Sequence, residues 1–439
     1  MSEADRRPVR TARPNRTIWS KVSEDEFRGN LVALEERTNA VPMDVQVFPL
    51  QEEITNTLRL PLQVDQHLAD DLAFLAAVQE GAQSVAAVCL EQHHRPQRML
   101  KIRVAAADFT DESLRTLMTH ICDILKSVSR GGSHDIDPAD ELLDHVIKRH
   151  QHKILGRLRS RKWDKPRYLA ASHKKALWKD FENVIHRVQH VYPAKKEKAQ
   201  RCQVENLLKV LAGCYTRFED CEEGELTSGL KALVKSTYEF CTCREIRHFA
   251  ARLAALRPTA QIAAAVKCLY QLEKIGAYER ISIDLVKSAL QYPNTFENVE
   301  LEYLSPYASV PTSLAYESWA KTCHVHAEIQ LVVESDLQQV AAENSHCETS
   351  MPRVIGTSKY LCYLCYLFIK HHGRYFAPNT HGRLYDQWTV PDLDEYHDCT
   401  REHYAKILAD INEEVRSQIV EGACWRAEPM TSRQNLLLQ

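Results

Sequence analysis

The chain has 439 residues, with 56 Lys and Arg against 59 Asp and Glu and a formal net charge of −3. At 44% hydrophobic and 26% charged, this is a folded chain of two or three domains, which excludes a collagen repeat, a small disulfide scaffold and global disorder. No apolar run approaches the roughly 18 residues of a membrane helix, so no membrane partner is expected. Near-neutral charge means that any surface for a polyanion must be local.

Residues 1–60 read as a disordered basic arm and lead-in. Arg6, Arg7, Arg10, Arg13, Arg16 and Lys21 have no apolar segment between them, which argues against a secretory signal. Glu3 and Asp5 argue against a mitochondrial one. Fourteen cysteines in such a chain point to an intracellular, reducing compartment, cytoplasmic or nuclear. Residues 61–290 read as a mainly α-helical N-terminal region with a small β-hairpin. Leu68, Leu72, Leu75 and Ala76 share one helical face within 66–80. The hairpin strands are 84–90 and 99–105. In the second, Leu100, Ile102 and Val104 alternate with Lys101 and Arg103, as in a half-buried strand. A helix follows over 111–127, with Thr110 or Asp111 as N-cap. Gly131-Gly132-Ser133 breaks the chain, and 139–290 is mostly helical.

The C-terminal third changes pattern. Val299, Leu301 and Tyr303 alternate with Glu300 and Glu302, a strand. Ile329, Val333 and Leu337 have helical spacing within 327–340. Residues 353–357 read as a short buried strand. Residues 361–372 are apolar nearly all round, a buried helix with Gly373 as its C′ residue. Charged, helix-patterned sequence fills 392–421. The order is strand, helix, strand, helix, an α/β arrangement.

Ligand-type residues fall inside this segment. Cys362 and Cys365 are spaced i, i+3, about 60° apart on a helix of roughly 3.6 residues per turn, so both sulfurs can reach one ion. His326 supplies an imidazole. Two thiolates and one imidazole leave the fourth position of a tetrahedral Zn²⁺ for water, the mark of an open, catalytic site. Glu328 converges with His326 only if His326 stands at or just before a helix start, where Glu328 can serve as general base and then general acid.

His326-Ala327-Glu328, followed 36 residues later by Cys362-Tyr-Leu-Cys365, resembles the zinc-dependent cytidine/adenosine (nucleic-acid) deaminase superfamily, whose signature is H-x-E and then P-C-x-x-C. The stretches IGTSKYLCYLC and THGRLYDQW resemble more specifically the deaminase-like proteins expanded in filamentous fungi. The resemblance implies a cytidine-deaminase-like mixed sheet flanked by helices over 291–395, followed by a C-terminal helix and tail at 396–439. It implies His326, Cys362 and Cys365 as zinc ligands and Glu328 as catalytic proton shuttle. Leu361 stands where the superfamily has Pro, which is a preference at a helix start and not a requirement for metal. The expected activity is hydrolytic deamination of a cytosine- or adenine-type base. The alternative is an inactive deaminase-like module with structural zinc, acting in protein or nucleic-acid interaction. It requires a fourth ligand such as His324, Cys323, His381 or Cys347.

Ser358, Lys359, His381, Tyr385 and Trp388 are candidates for substrate contact, each with an equally ordinary turn or core role. Residues 148–179 carry twelve Lys and Arg against Asp164 alone, interleaved with Trp163, Tyr168 and Trp178. Arg157, Arg159, Arg161, Lys162, Trp163, Lys165 and Arg167 are thus candidates for binding single-stranded RNA or DNA. The bland counterpart is a solvated face balanced by acids such as Glu219 and Asp220. A free nucleoside or nucleotide is the other candidate partner.

Overall fold

The computed structural model describes residues 7, 17–41, 60–79, 85–94, 98–106, 112–167, 175–342, 349–378, 380–421 and 436–437. The chain divides into two compact units. Unit 1 comprises Met1–Ala77, Gly81–Cys122 and Tyr292–Glu428; unit 2 comprises Val78–Glu80, Asp123–Gln291 and Pro429–Gln439. Residues 61–77 and 81–122, read from sequence together with the helical region, therefore lie in the same unit as residues 292–428.

Unit 1 opens with α1 (Glu24–Glu35), α2 (Leu62–Ala76), β1 (Ala86–His93) and β2 (Met99–Ala106). Then α3 (Glu112–Ser129) leads into unit 2, which holds α4 (Pro138–Leu158), α5 (Phe181–Val191), α6 (Lys198–Asp220), α7 (Leu226–Thr242), α8 (Arg244–Ala254) and α9 (Ala260–Gln291). The chain re-enters unit 1 with α10 (Pro293–Phe296), β3 (Val299–Tyr303), β4 (Val310–Pro311), β5 (Thr322–Val325), α11 (Ala327–Ala342) and β6 (Thr349–Ser350). It ends with β7 (Gly356–Thr357), α12 (Tyr363–His372), β8 (Trp388–Thr389) and α13 (Asp398–Glu421). Among the described residues no helix is long and apolar enough to cross a membrane.

Unit 1 is α/β with two mixed sheets. In one, β1 pairs antiparallel with β2, β6 and β7, and β2 pairs in parallel with β3. In the other, β5 lies between antiparallel β4 and parallel β8. The second hairpin strand is buried more deeply than its alternation predicts: Arg103 is 1% exposed. A buried guanidinium is tolerable only when paired. Arg103 has Glu91 at 2.7 Å and Glu302 at 2.8 Å, from the strands on either side.

The lead-in is also part of the fold over 17–41. Ser23 accepts the Glu26 amide at 3.2 Å, and acids fill the first turn of α1, two favourable features at a helix start. Phe27, Leu31 and Leu34 bury one face of α1 in the unit 1 core. Of the basic arm, Arg7 pairs with Glu334 and Lys21 with Glu402. Arg6, Arg10, Arg13 and Arg16 lie outside the described residues.

The core of unit 1 centres on α11, α12 and α13. Residues 363–369 of α12 are all buried, as their unbroken apolarity predicts. Gly373 ends the helix at φ +77°, a conformation that glycine adopts without strain. Unit 2 is helical throughout its described elements, with α9 packed against α4, α5, α7 and α8.

Candidate metal centre

Two helix starts meet at one point. The strand β5 ends at Val325, and α11 begins at Ala327. His326 therefore stands just before the helix, and its carbonyl accepts the Gln330 amide at 3.0 Å. Glu328 is in the first turn, which lets the two side chains share one side. Cys362 is not inside a helix, as its i, i+3 spacing to Cys365 suggests. It is the N-cap of α12, extended at φ −72° and ψ 167°, and its sulfur accepts the Cys365 amide at 3.3 Å. Both helix dipoles thus favour negative charge at this point.

The ligand atoms of His326, Cys362 and Cys365 all lie within 4.8 Å of one another. His326 Nδ1 is 3.6 Å from Cys362 Sγ and 3.4 Å from Cys365 Sγ. A thiolate and an imidazole on one tetrahedral Zn²⁺ stand about 3.6 Å apart, given bond lengths of roughly 2.3 and 2.05 Å. The donor set and its spacing therefore fit zinc. Glu328 is 4% exposed, with Oε2 3.8 Å from Cys365 Sγ.

Burial opposes charge on all four groups. It prevails at Glu328, whose carboxyl is raised above its ordinary range although the charge of His326 opposes it. It also prevails at Cys365, pushed well up by burial and by its neighbour Cys362. At Cys362 burial loses to the hydrogen bonds of Cys365 and the charge of His326, and the thiol falls well below its ordinary value. At His326 burial loses to Cys362, and the imidazole is raised. Burial thus shifts Glu328 toward the neutral acid, while its neighbours shift Cys362 toward the thiolate.

The other sequence candidates divide. Tyr385 is 41% exposed, with its ring 6.1 Å from His326 and 6.2 Å from His381. His381 Nδ1 accepts the Arg383 amide at 3.1 Å, so the neutral ring carries its proton on Nε2. Burial holds that ring below its ordinary pKa. Between them Gly382 has φ +65°, and a Cβ there would stand 2.0 Å from the Val41 carbonyl oxygen, so only glycine fits. Trp388 is fully buried, and its indole N–H donates to Cys365 Sγ at 3.3 Å. Ser358 exchanges hydrogen bonds with the backbone of Ala86, a turn role. Lys359 is exposed.

Among the proposed fourth ligands, Cys323 takes a hydrogen bond from Arg28 at 2.7 Å, and His324 is exposed on β5. Cys347 lies outside the described residues. Among the described residues no further Cys, His or carboxylate joins the three. Asp386, next to Tyr385, donates its amide to Glu35 at 3.2 Å, and its carboxylate takes the Tyr316 amide at 2.6 Å. No local sequence signal marked Arg28 or Glu35, because each matters through a distant partner.

The basic segment of unit 2 is largely engaged. Arg157 donates to Tyr278 and the Lys274 carbonyl. Arg159 pairs with Asp180 at 2.6 Å, and Arg161 with Asp220 at 3.0 Å and Glu219 at 3.5 Å. Lys162 donates to the Cys221 carbonyl. Trp163 is half-buried beside His152, Lys165 is half-buried and Arg167 is exposed. Tyr168 and Lys174 lie outside the described residues.

No curated protein and no solved structure matches the chain. A family model does: residues 325–392 match the OTT_1508-like deaminases. The matched stretch begins one residue before His326 and contains Glu328, Cys362 and Cys365. Over these residues the chain is similar to a deaminase family, which supports a place for this segment in the deaminase superfamily.

Proposed function

We propose that residues 325–392 carry a zinc-dependent hydrolytic deaminase site for a cytosine- or adenine-type base. One observation carries the proposal: His326, Cys362 and Cys365 converge within 4.8 Å, with the buried Glu328 carboxyl beside them, inside the stretch similar to deaminases. His326 Nδ1 and the two sulfurs would hold the ion. When bound, zinc would supply a Lewis acid that makes water a nucleophile near neutral pH. Glu328 takes a proton from the attacking water and holds it in a setting where burial favours the neutral acid. It then hands the proton to the exocyclic nitrogen, and the amine leaves as ammonia. The Tyr385 ring offers a face for the base. The His381 Nε2–H offers a donor whose direction is set by the Arg383 amide.

The preferred substrate is a free nucleoside or nucleotide, in place of a single-stranded polymer. Arg157, Arg159, Arg161 and Lys162 already have partners within unit 2, which leaves less charge to neutralise a phosphate backbone.

The test is ammonia release from cytosine- and adenine-type bases, nucleosides, nucleotides and oligonucleotides. Zinc-loaded wild type is compared with Glu328→Gln. Glu328→Gln should lose about 10²–10⁴-fold in rate with zinc content unchanged. No release from any of these by zinc-loaded wild type overturns the proposal. Release confined to oligonucleotides, weakened by charge reversal at Arg159 and Arg161, overturns the substrate preference.

A further inference from the structure

The two candidate zinc thiolates each receive one N–H donor, from different sources. Cys362 takes the Cys365 backbone amide at 3.3 Å, as any N-cap would. Cys365 takes the Trp388 indole at 3.3 Å. The second bond is long-range, from β8 to α12, and fully buried. Phe27 at 6.3 Å and Phe368 at 6.1 Å hold the indole ring in place. The strand β8 pairs in parallel with β5, with His324 opposite Trp388. One strand pairing thus sets both the donor and the start of α11, where His326 stands. Among the described residues the Trp388 N–H has no other acceptor, and a buried N–H left without a partner is destabilising.

We propose that Trp388 is a positioning residue of the metal centre, whose indole N–H fixes the Cys365 sulfur and withdraws charge from it. An N–H donor on a thiolate lowers the electron density that the sulfur gives to a bound cation, which leaves the cation a stronger Lewis acid. The inference rests on the zinc reading of the cluster and adds to it a residue that touches no substrate. The family signature of His, Glu and paired Cys does not contain it.

The test uses the full chain. Elemental analysis of wild type comes first, and absence of zinc after refolding with zinc overturns the metal reading itself. With metal bound, cobalt is substituted and the thiolate-to-metal absorption band is read. In Trp388→Phe the band should move to longer wavelength, and zinc affinity by chelator competition should fall roughly 10–100-fold. Phe27→Leu disturbs the same packing but keeps the N–H, and its band should stay in place. An unmoved band in Trp388→Phe, or an equal shift in Phe27→Leu, overturns the inference. Should Trp388→Phe fail to fold, wild type loaded with cadmium-113 decides by NMR. Scalar coupling between the metal nucleus and one indole proton supports the N–H···S bond, and its absence overturns it.

Discussion

The two ends of α12 hold the same kinds of residue and treat them differently. At the C-terminal end, Asp336 of α11 meets His372, Arg374 and Tyr404. Its carboxylate accepts from His372 Nε2 at 2.9 Å, Arg374 at 2.7 Å and the Tyr404 hydroxyl at 2.7 Å. At the N-terminal end, Glu328 of the same helix meets His326, Cys362 and Cys365. There the sulfurs and the imidazole face one another at 3.4–3.6 Å, and the carboxyl lies 3.8 Å from a sulfur. In one cluster the carboxylate is met by three donors of the protein, and His372 Nδ1 is left over. The other directs its donor atoms at a shared point, the arrangement expected of a site that completes itself with a ligand. A buried histidine beside a buried acid is therefore uninformative alone; the state of its partners decides.

The comparison is broken most directly by removing the sulfurs. Cys362→Ser/Cys365→Ser should lose all bound zinc by elemental mass spectrometry, from about one per chain. Zinc retained by the double variant would place the metal elsewhere. The opposite end should behave in reverse. Asp336→Asn leaves His372 and Arg374 without their carboxylate and should cost about 3–5 kcal/mol in denaturant unfolding, with zinc stoichiometry unchanged. A zinc loss without a stability loss would reverse the roles given to the two ends.

A smaller effect concerns Glu35, pushed up to about 7 by burial and then by the charge of Asp386. A carboxyl raised on folding stabilises the protein fully below its unfolded value, near 4.5, and loses that contribution as pH rises through about 7. Stability should thus decline across that window, and Glu35→Gln should flatten it. An unchanged slope in Glu35→Gln would assign the titration to another group.

Much of this was legible in the sequence. The helix of 361–372 followed from continuous apolarity and Gly373, and the His-x-Glu and Cys-x-x-Cys spacings marked the cluster. Its true start at Tyr363 was not legible, because an N-cap and a first helical residue have the same spacing to Cys365. Burial of Arg103 was hidden because Glu302, one of its partners, lies about 200 positions away in the chain. Pairing of Arg161 was hidden for the same reason, with Asp220 59 residues on. The start of α1 did carry signals, Ser23 and three acids, which the basic composition of the preceding residues outweighed.

The fastening of α1 has a practical consequence for gene dissection. Phe27 lies against Trp388, Arg28 hydrogen-bonds Cys323 and Thr389, and the Val41 amide donates to the Gly382 carbonyl at 2.7 Å. The strand β7 completes its pairing only with β1, some 270 residues earlier. A clone limited to the family-matched stretch would encode every candidate ligand yet omit the walls that hold them. The deaminase-like stretch and the compact unit that walls it are different lengths of this gene, and the second takes in residues 17–41.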